Sequence, residues 1–125
     1  MTYLDTHVVV FLHNGAMSKL SQRAKSQIES DDILISPMVL LELEMLKEKG
    51  VLLADSQRIV GDLASSIGLS VCQLPMAHVI QKAIPLKWTR DPGDRLIVAN
   101  ALAANEAPLI SKDATIREFY KNTIW

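Results

Sequence analysis

The sequence has a single cysteine, Cys72, which excludes an internal disulfide and suits a reducing compartment. No apolar run approaches the ~20 residues that a membrane-spanning helix requires. The stretch Met1-Thr2-Tyr3-Leu4-Asp5 has neither the basic region nor the long apolar core of a secretory signal, so a cytoplasmic protein without membrane contact is expected. Internal repeats, low-complexity tracts and linkers rich in Gly, Ser or Pro are all missing, and the 125 residues are expected to form one domain, 1–125. There is no excess of positive charge either: the formal net charge is -1 and the pI about 6.3. A generic nucleic-acid coat is basic overall, so any nucleic-acid contact has to come from a local patch. Gly-rich phosphate loops and the G-x-S-x-G turn do not occur. His7, His13 and His78 lack Cys or His partners at zinc-ligand spacing. Cys72, next to Val71 in an apolar run, reads as a small buried hydrophobe rather than a nucleophile.

What is present is an alternation of short apolar runs and amphipathic segments, in a chain 49% hydrophobic and 22% charged. That pattern favours α/β layering around a mainly parallel sheet. Tyr3-Leu4, Ile33-Leu34-Ile35, Leu69 to Leu74, Leu109-Ile110 and Thr123 to Trp125 read as strands. Thr6 to His13 is ambiguous, because Val8-Val9-Val10 favours extended structure. Ser18 is a candidate cap for a helix burying Leu20, Ala24 and Ile28. Ser36 as N-cap, Pro37 at the first helical position and Gly50 past the end mark the clearest helix. Asp55 and Gly68 bracket a helix that buries Ile59, Leu63 and Ile67. Pro75 to Ala83 reads as a short helix, Asp91-Pro92 opens one reaching about Asn105 and apolar almost all round, and Thr115 to Tyr120 is a last short one.

Four acids stand where local structure does not require them. Glu42 has Met38, Val39, Met45 and Leu46 three and four positions away, which puts a carboxylate within an apolar stripe; snorkelling from the edge of that stripe is the bland alternative. Glu44 and Glu48 share a polar edge with Lys47 and need no special reading. Asp94 falls at the third helical position behind the N-cap Asp91, where it either complements the helix dipole or faces a site. Asp113 follows the strand Leu109-Ile110, with Thr115 and Glu118 at capping-box spacing to serve the next helix. Asp5 follows the first strand, with Thr6 available as a cap. In an open α/β sheet ligands bind beyond the carboxyl ends of the strands, so these four acids can converge there. Three carboxylates about 5 Å apart at an effective dielectric near 20 repel by about 3 kcal/mol per pair, and such a cluster takes up protons or binds a cation. Hard oxygen ligands favour Mg²⁺ or Mn²⁺. Trp88 and Trp125 are candidates for stacking on bases, with packing as the default.

Taken together, Tyr3-Leu4-Asp5-Thr6-His7, the Ser36 to Glu42-Leu43 helix, Arg90-Asp91-Pro92-Gly93-Asp94-Arg95-Leu96-Ile97 and Leu109-Ile110-Ser111-Lys112-Asp113 resemble PIN-domain proteins in motif and order, closest to VapC-like toxins. Each motif is weak alone, whereas four in order over nearly the whole chain are fairly specific. The resemblance implies a three-layer α/β/α sandwich and makes Thr6 to His13 helical. It implies a Mg²⁺- or Mn²⁺-dependent endoribonuclease whose acids are Asp5, Glu42, Asp94 and Asp113, working as the homodimeric toxin of a toxin–antitoxin pair blocked by a small antitoxin. Thr6 and Ser111 are candidates to orient those acids, and Arg90, Arg95, Lys112 and Arg117 to hold RNA phosphates around them. Leu41 stands where relatives often carry an aromatic residue, Gly93 where they carry a bulky one and Thr89 where they carry His; these departures bear on substrate choice more than on metal binding. Two rivals remain: a catalytically inactive PIN scaffold, against which the intact acids argue, and a phosphoacceptor receiver domain. The receiver wants adjacent acids after the first strand, but Asp5 is followed by Thr6 and His7, and the doublet Asp31-Asp32 precedes a strand instead.

Overall fold

A computed structural model describes residues 1–125. In chain order the elements are β1 (Thr2–Leu4), α1 (Thr6–His13), a 3-10 turn (Met17–Lys19), α2 (Gln22–Ser30), β2 (Ile33–Ile35), α3 (Pro37–Glu48), α4 (Ser56–Ile67), β3 (Ser70–Val71), α5 (Met76–Ala83), α6 (Pro92–Ala103), β4 (Leu109–Ile110), α7 (Ala114–Phe119) and β5 (Thr123–Ile124). The five strands form one sheet in the order β3-β2-β1-β4-β5, every pairing parallel. Helices flank this sheet, giving the expected α/β/α sandwich. A receiver domain has the order 2-1-3-4-5, so the observed order removes that rival.

Burial decides the elements that propensity left open. Thr6–His13 is helical despite its three consecutive valines because Asp5 caps it and Val8 and Val9 are fully buried. Each valine costs about half a kcal/mol as a helix former, whereas burying it returns about 1.5 kcal/mol or more. Elsewhere the punctuation is as expected: Ser36 accepts from Met38 N ahead of Pro37, and Asp55 accepts from Arg58 N. Gly68 closes α4 at φ 73°, a left-handed conformation that a side chain would strain.

Several boundaries differ from expectation. Ser21, not Ser18, caps α2, since Ser18 lies within the 3-10 turn. Asp113 itself caps α7 by accepting from Ile116 N, so Thr115 and Glu118 form no capping box; Asp5 rather than Thr6 caps α1. The third strand shrinks to Ser70–Val71, and α6 ends at Ala103 because Asn105 and Glu106 both turn to positive φ. Glu44, expected to be idle, accepts from the backbone N and hydroxyl of Ser56 and so anchors the start of α4.

The core packs Leu4, Ile35, Val39, Leu43, Ile97 and Ile110 around the sheet, all inaccessible to solvent. Through it runs a polar chain that the sequence did not suggest. Ser36 donates to Asn100 Oδ1 (2.6 Å), Asn100 Nδ2 donates to Cys72 Sγ (3.2 Å), and Tyr3 OH donates to the same sulfur (3.0 Å). Cys72 is therefore buried, as expected, but as a hydrogen-bond acceptor tying β1 to α6. Replacing Asn100 by Ala leaves the buried Ser36 hydroxyl without an acceptor for its proton and removes one partner of the sulfur; a loss of about 2–4 kcal/mol in urea unfolding is expected. A loss under half a kcal/mol would show that the chain is energetically idle.

Candidate active site

Strand order reverses between β1 and β4: from this adjacent pair the chain continues outward through β2 and β3 on one side and through β5 on the other. A crevice opens at such a switch point, beyond the carboxyl ends of the strands. Asp5 leaves β1 there and Ser111 leaves β4, and Ser111 Oγ donates to Asp5 Oδ2 at 2.6 Å. Asp5 Oδ1 accepts from Thr6 N at 2.8 Å, so both of its oxygens are oriented by the fold, and only 7% of the residue is exposed. Thr6 Oγ1 in turn donates to Glu42 Oε1 at 2.5 Å, reaching from the first turn of α1 to the middle of α3. Ser111 Oγ also accepts from Asp113 N at 3.1 Å. Thr6, through its backbone N and its hydroxyl, links Asp5 to Glu42, and the Ser111 hydroxyl links Asp5 to the backbone of Asp113.

The cleft these groups border has a volume of about 490 Å³, and Asp5, Glu42, Asp91, Asp94 and Asp113 all line it. The four acids singled out from sequence are brought together, and Glu42 is half-buried in the cleft wall rather than snorkelling from an edge. Asp91 was expected only as a cap. It does cap α6, accepting from Gly93 N at 2.9 Å, but it also faces the cleft. Its spacing of three from Asp94 puts both on one helix face, a signal visible in the sequence.

Electrostatics single out Asp94. Desolvation raises its pKa to about 7, with further upward pushes from Asp91, Asp5, Asp113 and Glu42, and it accepts no hydrogen bond that would offset them. Burial likewise raises Asp5, partly countered by the Ser111 and Thr6 hydrogen bonds and by His7, with Asp113 adding to the rise. Burial raises Glu42 too, against the Thr6 hydrogen bond, with Asp5 and Asp91 pushing the same way as burial. As they stand, no three acids close on a single cation position; four of the five are held by hydrogen bonds to their own surroundings, and like charges oppose closer approach.

Gly93 matters to this arrangement. A β-carbon built there would overlap Glu42 Oε2 and lie 3.1 Å from Glu42 Cδ and 3.3 Å from Asp91 Oδ1. Glycine is what lets α6 approach the Glu42 carboxylate in its present seat.

The basic residues divide. Lys112 lines the cleft, and so does Lys49, which the sequence reading did not select. Arg90 and Arg117 are exposed and lie outside the lining. Arg95 is committed elsewhere: its guanidinium donates to the carbonyls of Ala83 (2.9 Å), Ile84 (2.8 Å) and Thr89 (3.4 Å), satisfying the open end of α5 and fixing the loop into α6. It pairs with no acid. His7, set aside for want of zinc partners, also lines the cleft, while Trp88 stacks on Phe119 with centroids 5.4 Å apart.

An all-parallel sheet with a carboxylate-lined crevice at its switch point defines a class of α/β domains that gather oxygen donors from four separate segments. The chain matches the PIN domain family over residues 2–122 and belongs to that family. At the level of the family this is a nuclease fold. Similar solved structures include VapBC2 from Rickettsia felis bound to a DNA fragment from its promoter, at 21% identity and TM-score 0.66, covering 99% of this chain and 96% of that one. A toxin–antitoxin complex from Klebsiella pneumoniae is similar at 16% identity and TM-score 0.66, covering 100% and 97%. VapBC-1 from nontypeable Haemophilus influenzae follows at 20% identity and TM-score 0.57, covering 100% and 96%. No curated protein matches the sequence significantly.

With a folded-state pKa near 7 against about 4 unfolded, Asp94 holds a proton between those values that the unfolded chain has released. Stability therefore falls as pH rises from about 4 to 7 and levels off above. In chelator the protein should melt at a higher temperature at pH 5.5 than at pH 8, and Asp94→Asn should flatten that dependence and raise the melting temperature at pH 8. An undiminished slope in the variant would assign the pH dependence to other groups.

Proposed function

We propose that this protein is a metal-dependent endoribonuclease and the toxin of a toxin–antitoxin pair. The observation that carries the reading is the convergence of Asp5, Glu42, Asp94 and Asp113 on one cleft, with Asp94 charge-crowded and without a hydrogen bond. The donor set consists of carboxylate oxygens alone, which fits a hard divalent cation such as Mg²⁺ or Mn²⁺. Asp5, Asp94 and Glu42 would hold it, with Asp113 completing the site. Such a cation supplies activation of a water for attack and offsets charge gathering on the phosphate. The chain's own groups do the positioning. Ser111 and Thr6 hold the Asp5 and Glu42 carboxylates in fixed orientations, and Gly93 leaves Glu42 its seat. Lys112 and Lys49 offer positive charge to phosphates on the cleft walls, while Arg90 and Arg117 remain available farther out. No histidine base is needed, although His7 stands beside Asp5 and Glu42 and tempers their pKa values.

The toxin assignment draws on the similarity to three toxin–antitoxin complexes along nearly the full length of each chain. A small antitoxin protein that covers the cleft, a homodimeric assembly and a cytoplasmic location belong to the same proposal. No helix is long and apolar enough to cross a membrane.

Cleavage of single-stranded RNA should require added Mg²⁺ or Mn²⁺ and should produce internal cuts. Asp5→Asn and Asp94→Asn should each lower the rate by a factor of about a hundred or more, as expected when charge stabilisation at the reacting phosphate is lost. Wild-type activity in either purified variant would remove that residue from the site.

A cation that binds only the folded state adds about 2.7 kcal/mol at a hundred times its dissociation constant. That increment should shrink in Glu42→Gln and in Gly93→Ala. In chelator, Gly93→Ala should stay as stable as wild type, because alanine is favoured over glycine in a helix by about 1 kcal/mol. An unchanged Mg²⁺-induced melting shift in Gly93→Ala would show that Glu42 keeps its role from a different rotamer.

A further inference from the structure

The acids occupy only one end of the cleft. On α3 the residues facing it are Glu42, Met45 and Leu46, and the C-cap Lys49 continues the same stripe at helical spacing; on α1 they are Thr6, His7 and Phe11. Moving away from Glu42, this stripe presents apolar side chains after one turn and, at the C-cap, an ammonium after two, about 10 Å along the helix axis. Phe11 stands one turn beyond His7 on α1 and lines the same cleft as that apolar stretch. Its ring is partly buried against the core, as is Leu46, whereas Met45 is 38% exposed. Lys19 holds its ammonium over the Phe11 ring, 5.4 Å from the centroid, so a base stacking on that face takes the place of a flexible, displaceable side chain. A cation and one phosphate do not need a cleft of about 490 Å³.

We propose that the Phe11–Met45–Leu46 wall is a nucleobase subsite, with Lys49 beyond it binding the next phosphate of the same single strand. This deepens the ribonuclease reading and rests on it. The order along the groove matches the order along a nucleotide chain: a carboxylate cluster for the reacting phosphate, a flat apolar wall for the adjoining base, then a cation. A base extended from a single strand stacks on an aromatic face irrespective of its identity, so the subsite selects unpaired nucleotides rather than a sequence. The polar rims supply backbone contacts, which position the strand. An apolar wall between fixed charges of opposite sign suits a nucleotide better than a uniformly apolar helix, because an apolar helix would leave Glu42 and Lys49 without partners.

The test uses the full chain carrying Asp94→Asn, which should bind without cutting, and fluorescence anisotropy with two probes of equal length: a single-stranded oligoribonucleotide and its abasic ribose–phosphate counterpart. Phe11→Ala should weaken binding of the base-containing strand by about tenfold, since one stacked base contributes 1–3 kcal/mol and 1.4 kcal/mol is a factor of ten, and should leave the abasic strand unaffected. Phe11→Leu preserves apolar volume but not the flat face, so it should show the same discrimination with an unchanged melting temperature. Lys49→Ala should weaken both strands and reduce the log–log salt slope by about 0.7. Equal effects of the Phe11 variants on both probes would overturn the subsite while leaving the nuclease reading intact. So would an unchanged affinity of Phe11→Leu for the base-containing strand. If the Asp94→Asn parent binds neither strand and the wild-type protein does not cut RNA, the ribonuclease reading itself fails and the subsite with it.

Discussion

Strand β1 lies between β2 and β4, parallel to both, and the chemistry depends on that placement. Asp5 emerges at the end of β1 while Ser111 emerges at the end of β4, and the hydrogen bond between them closes the switch point. Had β1 paired elsewhere, Asp5 would be an ordinary helix cap and Asp113 an unrelated one. The pairing turns two caps at distant places in the sequence into neighbours. α3 and α6, packed on one another, then bring Glu42 and Asp94 to the same edge.

Most of the acids carry a local duty and a shared one. Asp5, Asp91 and Asp113 cap helices, so their carboxylates are already oriented by backbone N–H groups. Capping stabilises each helix by about 1 kcal/mol, which helps offset the cost of crowding charge. Asp94 has no such duty, and burial together with its acidic neighbours raises its pKa to about 7. Charge crowding at Asp94 is thus left without a compensating hydrogen bond, a pattern suited to a group meant to meet a cation.

The cleft is asymmetric in the same manner. Its acid end is built from β1, β4, α6 and the middle of α3, and the opposite end from the last turns of α1 and α3. Five carboxylates, three apolar side chains and the ammonium groups of Lys49 and Lys112 share that single groove. Arg95, by contrast, serves the scaffold: by capping α5 it sets the loop that delivers Asp91 and Asp94. A charged residue next to a motif in sequence is not thereby next to it in space, because successive helical residues point about 100° apart.

The sequence by itself determined the alternation of strands and helices, the helix starts at Ser36, Asp55 and Asp91, and the left-handed stop at Gly68, because caps, proline and glycine act within a few residues of themselves. It also marked Glu42 as out of place, since a carboxylate within an apolar stripe is a local anomaly. Tertiary structure alone decided that Val8-Val9-Val10 would be helical, because burial outweighs a weak propensity. Tertiary structure also gave Cys72 its hydrogen bonds, sent Arg95 to α5 rather than the cleft, and enlisted Asp91, His7, Phe11 and Lys49 as cleft residues. Each of those outcomes depends on which distant segment packs alongside, and spacing along a chain carries no record of that.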